Sequence, residues 1–145
     1  MFEDKGFKII METLKTVSKE DFPVASVLEV DGVFFKAFSN EVYLKKNHLN
    51  HAEILAINDA LQALKIMDFK GKKATLYSSL EPCCMCLSFA SLVRVSKIIF
   101  YAYDKKFGGT GRIYTQNSSF TKPEILCIEK EEVKFLMNNF FITKR

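Results

Sequence analysis

A chain of 145 residues, 48% of them hydrophobic, has the length of one compact domain and apolar content enough to bury about 70% of its unfolded surface. No run approaches the roughly 20 apolar residues of a membrane helix, and no basic flank precedes an apolar stretch with a small-residue cleavage site, so a soluble, cytoplasmic domain spanning residues 1–145 is expected. The formal charge of +4 is compatible with a nucleic-acid partner, though the lysines are scattered, and crowding of Cys83, Cys84 and Cys86 into one turn, with Cys127 alone elsewhere, argues against a secreted disulfide framework and for metal or thiol chemistry.

Phe7, Ile10, Met11, Leu14 and Val17 recur at helical spacing and predict an amphipathic helix over about the first 18 residues, suited to covering a sheet. From Val24 to Ser39 two β-rich runs flank Asp31-Gly32, and an Asp-Gly pair between apolar runs predicts a hairpin because glycine accepts the positive φ of a tight turn. After a polar loop with Lys45, Lys46 and Asn47, the stretch His51 to Leu64 carries Ile54, Ile57, Leu61 and Leu64 on one stripe, with alanines beside it: a second, closely packed helix. Ala74 to Leu80 reads as a buried strand running into Glu81-Pro82-Cys83, where proline suits the first turn of a third helix reaching to about Val93. Lys97 to Ala102 is a further strand, a loop with Gly108, Gly109 and Gly111 follows, and Glu131 to Phe141 has the spacing of a terminal helix. Strands alternating with helices in the second half imply parallel pairing there, and the hairpin adds antiparallel neighbours, so the sheet is mixed and covered on both faces.

Cys83 and Cys86 stand one turn apart on one face of a helix start, within reach of one metal ion, and a helix N-terminus favours the thiolate form. Alone, the pair fits a redox dithiol or half of a structural zinc site as well. His51-Ala52-Glu53 separates these readings, because it also opens a helix; a spacing of two puts both side chains toward one site only if both belong to the first, open turn. A histidine, a carboxylate two residues on, then Pro-Cys-x-x-Cys after an intervening helix and strand is the recognised signature of zinc nucleobase deaminases. Three protein ligands leave the fourth tetrahedral position of Zn2+ open to a water that ionises near neutral pH, and a neighbouring carboxylate, here Glu53, would carry protons to the ring and the leaving amine. A purely structural zinc would need a fourth ligand, for which Cys84, His48 and Cys127 are the spare candidates.

The run Leu80-Glu81-Pro82-Cys83-Cys84-Met85-Cys86, with His51-Ala52-Glu53-Ile54, Pro23-Val24 ahead of Asp31-Gly32, Asn40, Arg94 through Ala102 and Asp104 to Gly111, resembles the bacterial tRNA-specific adenosine deaminases over most of the chain. The resemblance implies a three-layer α/β/α sandwich around a five-stranded mixed sheet of the cytidine deaminase-like type. It also implies a homodimer acting on the wobble adenosine of a tRNA anticodon stem-loop, with Zn2+ held by His51, Cys83 and Cys86, Glu53 moving protons, Asn40 hydrogen-bonding the purine, and Val24 and Ala52 lining its pocket. The chain departs from the family pattern at Ala25-Ser26, at Leu87-Ser88-Phe89 and at Leu92-Val93. Phe107 fits either an RNA-stacking residue or a buried loop anchor, and Lys105, Lys106, Lys144 and Arg145 fit either phosphate contacts or ordinary surface charge. Cys84 and Cys127 read as small packed residues. Two other functions share part of this pattern: a deaminase of free guanine, cytosine or cytidine, and a zinc-stabilised binding protein without an open coordination position.

Overall fold

The computed structural model describes residues 2–114 and 121–143. The expected Lys144 and Arg145 contacts lie outside the described residues. Helix α1 covers Phe2–Leu14, strands β1 (Ala25–Val30), β2 (Val33–Phe34) and β3 (Phe38–Ser39) follow, and helix α2 covers Ala52–Leu64. Strand β4 (Ala74–Ser78), helix α3 (Cys84–Leu92), strands β5 (Lys97–Phe100) and β6 (Glu124–Cys127) and helix α4 (Glu131–Thr143) complete the chain. The strands form one mixed sheet in the order β2-β1-β4-β5-β6, with β3 also on β1; β1 runs antiparallel to β4, and β4, β5 and β6 are parallel.

Six strands stand where five were expected, and the register explains the difference. Glu29 pairs with Phe34 and Ser26 with Phe38, so the two residues Val27 and Leu28 face three residues, Phe35, Lys36 and Ala37. That is a β-bulge, which breaks one hairpin arm into β2 and β3 while both still pair with β1. The added parallel strand β6 lies outside the strands read from the sequence: it is a four-residue edge strand, exposed at Glu124 and Leu126, too short to declare a period. Helix α1 also stops at Leu14 rather than near residue 18, because the Thr13 hydroxyl donates to the Ile9 carbonyl, the Thr16 hydroxyl to Thr13, and the Glu20 N–H to the Ser18 oxygen. Such local bonds offer the backbone an alternative to the helix. Pro82 precedes the N-cap of α3 instead of occupying its first turn.

Alternation along the strands sends successive side chains to opposite faces, and both faces are covered. Leu28, Leu76, Ile98 and Phe100 pack with Ile57, Ala60 and Leu61 of α2 and with Leu87 and Ala90 of α3. Val27, Tyr77, Ile99 and Tyr101 pack on the other side with Ile10 and Leu14 of α1 and Val133 of α4. The result is the expected three-layer sandwich. Among the described residues no helix is long and apolar enough to cross a membrane.

Candidate metal centre and active site

Both functional helices begin at the same end of the sheet, and each spends its N-cap position on a metal-binding type of residue. His51 caps α2 with extended backbone (φ −68°, ψ 144°) and Cys83 caps α3 (φ −76°, ψ 172°), and neither side chain forms a capping hydrogen bond; the Cys83 thiol instead meets Cys86 Sγ one turn into α3. A serine or aspartate there would turn back onto the helix N–H groups. An imidazole and a thiol in extended geometry instead swing outward, which is how His51 and Glu53, only two residues apart, come to serve one site.

The three predicted ligands converge. His51 Nδ1 lies 3.7 Å from Cys83 Sγ and 3.5 Å from Cys86 Sγ, and the two sulfurs are 3.7 Å apart. Tetrahedral zinc, with Zn–S of about 2.3 Å and Zn–N of about 2.0–2.1 Å, requires edges of about 3.8 Å between sulfurs and about 3.6 Å between sulfur and nitrogen. The triangle therefore matches one face of such a tetrahedron, and the residues present fit a zinc ion. Among the described residues His51, Cys83 and Cys86 are the cluster that gathers three ligand atoms in this way. His48 is exposed in the 41–50 loop, Cys84 is exposed, and Cys127 bonds to Tyr103, so none of the spare fourth ligands joins it.

Electrostatics follow the geometry. Cys83 is drawn down to about 4 by its hydrogen bond with Cys86, against the cost of burial, with His51 adding to the effect. Cys86 is pushed up because it shares that bond with Cys83 and is buried beside Glu53. The pair thus holds one proton that an arriving cation must displace. His51 is raised chiefly by its hydrogen bond to Cys83. Glu53, only 4% exposed in the first turn of α2, is pushed up to about 7, chiefly by burial.

Asn40, Val24 and Ala52 lie in one hydrogen-bonded chain. The Asn40 N–H donates to the Val24 carbonyl (2.9 Å), and Asn40 Oδ1 accepts the Ala52 N–H (2.8 Å). Asn40 thereby supplies α2 with the cap that His51 forgoes, and its remaining side-chain group is a donor NH2. Its side chain is 8% exposed, while Val24 and Ala52 are buried. From Asn40 the chain makes a tight excursion over residues 41–50. The buried Asp21 carboxylate accepts the Tyr43 and Leu44 N–H groups, and the Glu41 N–H donates to the Asn50 carbonyl, closing the excursion next to His51.

Glu81 is the residue that sequence reasoning missed. It is 8% exposed, and its carboxylate accepts the Asp104 N–H (3.1 Å), the Thr110 N–H (3.1 Å) and the Thr110 hydroxyl. It clamps the glycine-rich loop onto the start of α3, where Gly108 bridges to Cys83 and the Gly109 N–H donates to the Pro82 carbonyl. A Cβ at Gly108 would run into the Glu81 carboxylate, and one at Gly109 would stand 2.8 Å from the Cys84 nitrogen. The only signal in the sequence was an acid directly before Pro-Cys, with glycines some 25 residues on, a helix, a strand and a turn away. Phe107, at 58% exposure, is no buried anchor. Of the departures from the family pattern, Leu87 is fully buried, Leu92 is 70% exposed at the far end of α3, and the buried Ser26 hydroxyl, opposite Ser78, has no hydrogen-bond partner, nor does that of Ser78.

Comparison with known proteins agrees with this geometry. Residues 3–102 match the cytidine and deoxycytidylate deaminase zinc-binding region. The tRNA-specific adenosine deaminase of Bacillus subtilis is 36% identical over 136 residues, covering 91% of this chain and 83% of that protein. The tRNA-specific adenosine deaminase of Aquifex aeolicus is 34% identical over 105 residues, 72% of this chain and 68% of that protein. A solved structure from a study of A-to-I editing by tRNA:A34 deaminases at the wobble position superposes with a TM-score of 0.81 at 25% identity, over 88% of this chain and 99% of that one.

Proposed function

The chain belongs to the cytidine and deoxycytidylate deaminase family and is a zinc-dependent hydrolytic deaminase, and from that membership we propose that it converts adenosine to inosine at the wobble position of tRNA anticodons. The observation that carries the chemistry is the His51, Cys83 and Cys86 triangle with the buried Glu53 one turn into α2. The relatives named for tRNA-specific adenosine deamination favour the substrate.

In this reading His51, Cys83 and Cys86 hold zinc, whose role when bound is to make water a nucleophile near neutral pH. Glu53 would accept a proton on its carboxylate and deliver it to the ring nitrogen beside C6, the carbon under attack. Burial raises the affinity of its carboxyl for a proton, and a zinc ion held by the neighbouring ligands would act in the opposite direction. A second proton, released from the oxygen newly bonded to C6, would pass through Glu53 to the departing amine, so that water and adenosine give ammonia and inosine. Asn40 donates its NH2 to the purine and is held for that task by Val24 and Ala52. Flipping the base costs least in a single-stranded loop, which suits an anticodon. One deaminase domain over residues 1–145, working in the cytoplasm as a homodimer, completes the reading; the exposed apolar Met85 and Leu92 on α3 support a second copy there.

The test compares substrates with zinc quantified in the same preparation. An anticodon stem-loop with adenosine at the wobble position should be converted to inosine, and free adenosine, guanine and cytidine should be poor substrates. Turnover of a free base or nucleoside at an equal or greater rate overturns the assignment in favour of a free-base deaminase.

A further inference from the structure

We propose that Phe107 is a stacking platform for a nucleotide flanking the target adenosine, making the glycine-rich loop a second RNA subsite at the rim of the metal pocket. The proposal rests on the tRNA reading above.

Position comes first. Gly108 pairs with Cys83 and the Gly109 N–H reaches the Pro82 carbonyl at 2.9 Å, so Phe107 stands one residue from backbone that touches the metal-binding segment. Its ring is 58% exposed, yet the loop beneath it is fixed. Asp104 Oδ1 accepts the N–H groups of Lys106 (3.1 Å) and Phe107 (3.0 Å). The Arg112 guanidinium donates to the carbonyls of Lys106 (2.9 Å) and Lys105 (3.3 Å), and Glu81 holds both ends of the loop. An apolar ring kept out in water on a preordered loop loses little further entropy when it binds something flat.

Charge and orientation narrow the occupant. The Lys106 ammonium lies 5.2 Å from the Phe107 ring centroid and takes one face, leaving the other for a base. Lys105 and Lys106 bring positive charge beside the ring, where a phosphate backbone would pass. The substrate supplies the need: when the wobble base leaves its stack, its neighbour loses a stacking partner, and an aromatic ring at the pocket rim replaces it.

The test uses the zinc-loaded enzyme in a Glu53→Gln background, with stem-loops carrying 2-aminopurine immediately 5′ or 3′ of the wobble adenosine. Binding should quench the fluorescence at one of the two positions. Phe107→Ala should abolish that quench and Phe107→Trp should keep it. In the active enzyme Phe107→Ala should raise KM for the stem-loop roughly 10-fold while kcat stays within about 2-fold. Quenching that survives Phe107→Ala at both positions, or no quenching at either position with Phe107 intact, overturns the proposal. A Phe107→Ala protein that loses zinc or changes oligomeric mass overturns it too, by assigning the ring to folding or to contact with a second copy. Failure of the tRNA reading is separately visible, as no conversion of the stem-loop by the active enzyme with Phe107 in place.

Discussion

On one face of the sheet Leu28, Leu76 and Ile98 pack under α2 and α3, whose first turns and caps carry His51, Glu53, Cys83 and Cys86; on the other Val27, Tyr77 and Ile99 pack under α1 and α4, which carry none of these four residues. Both faces are filled with fully buried side chains. The difference lies at the helix ends. α3 starts just beyond the carboxyl end of β4, and α2 starts beside it, where open α/β sheets bring helix N-termini and loops together. Packing makes the platform on either face, and chemistry appears on the one where two N-cap positions carry ligand residues, with Asn40 supplying the cap that His51 does not give α2.

Substitutions on the two faces should act on different properties, activity on one and stability on the other. Glu53→Gln keeps the shape of the α2 face and removes its proton carrier, so turnover should fall by about 10²–10⁴-fold while bound zinc stays at the wild-type level. A variant that retains a tenth of the activity would remove Glu53 from the chemistry. On the opposite face, Gly6→Ala drives a methyl group into the Tyr77 ring, where α1 lies closest to the sheet. Denaturant titration should show a loss of roughly 1–3 kcal/mol from overpacking, with kcat unchanged in the folded fraction. An equal fall in kcat and stability would mean that the two faces are not separable.

The smallest effect belongs to the serines under α2. Ser26 and Ser78 face each other across β1 and β4 with buried, unpartnered hydroxyls, whereas the Ser79 oxygen accepts the Ala25 N–H at 3.0 Å. Ser26→Ala should be neutral or stabilising by up to about 1 kcal/mol, and Ser79→Ala should cost about 1–2 kcal/mol because it orphans a buried donor. Thermal melts decide between them, and a Ser26→Ala protein melting well below wild type would show that this hydroxyl has a partner after all.

The metal face was also the more legible in the sequence. His51, Glu53, Cys83 and Cys86 sit at helix starts, where short spacings translate directly into shared position, and amphipathic stripes gave α1, α2 and α4. What escaped depends on partners far away in the chain. The bulge at Phe35 to Ala37 exists only against β1, β6 only against β5, and Glu81 acquires its role only when the loop bearing Asp104 and Thr110 folds back over α3. The early end of α1 is a different case: Thr13, Thr16 and Ser18 were in plain view, but their bonds to backbone compete with an apolar stripe that continued to Val17.

Zinc K-edge X-ray absorption on the purified protein, with metal content measured alongside, reads the ligand set at His51, Cys83 and Cys86. The account predicts one zinc per chain with two sulfur scatterers at about 2.3 Å and two nitrogen or oxygen scatterers at about 2.0–2.1 Å, the second of these being solvent. Three or four sulfur scatterers, or a zinc content unaffected by Cys86→Ala, would contradict it.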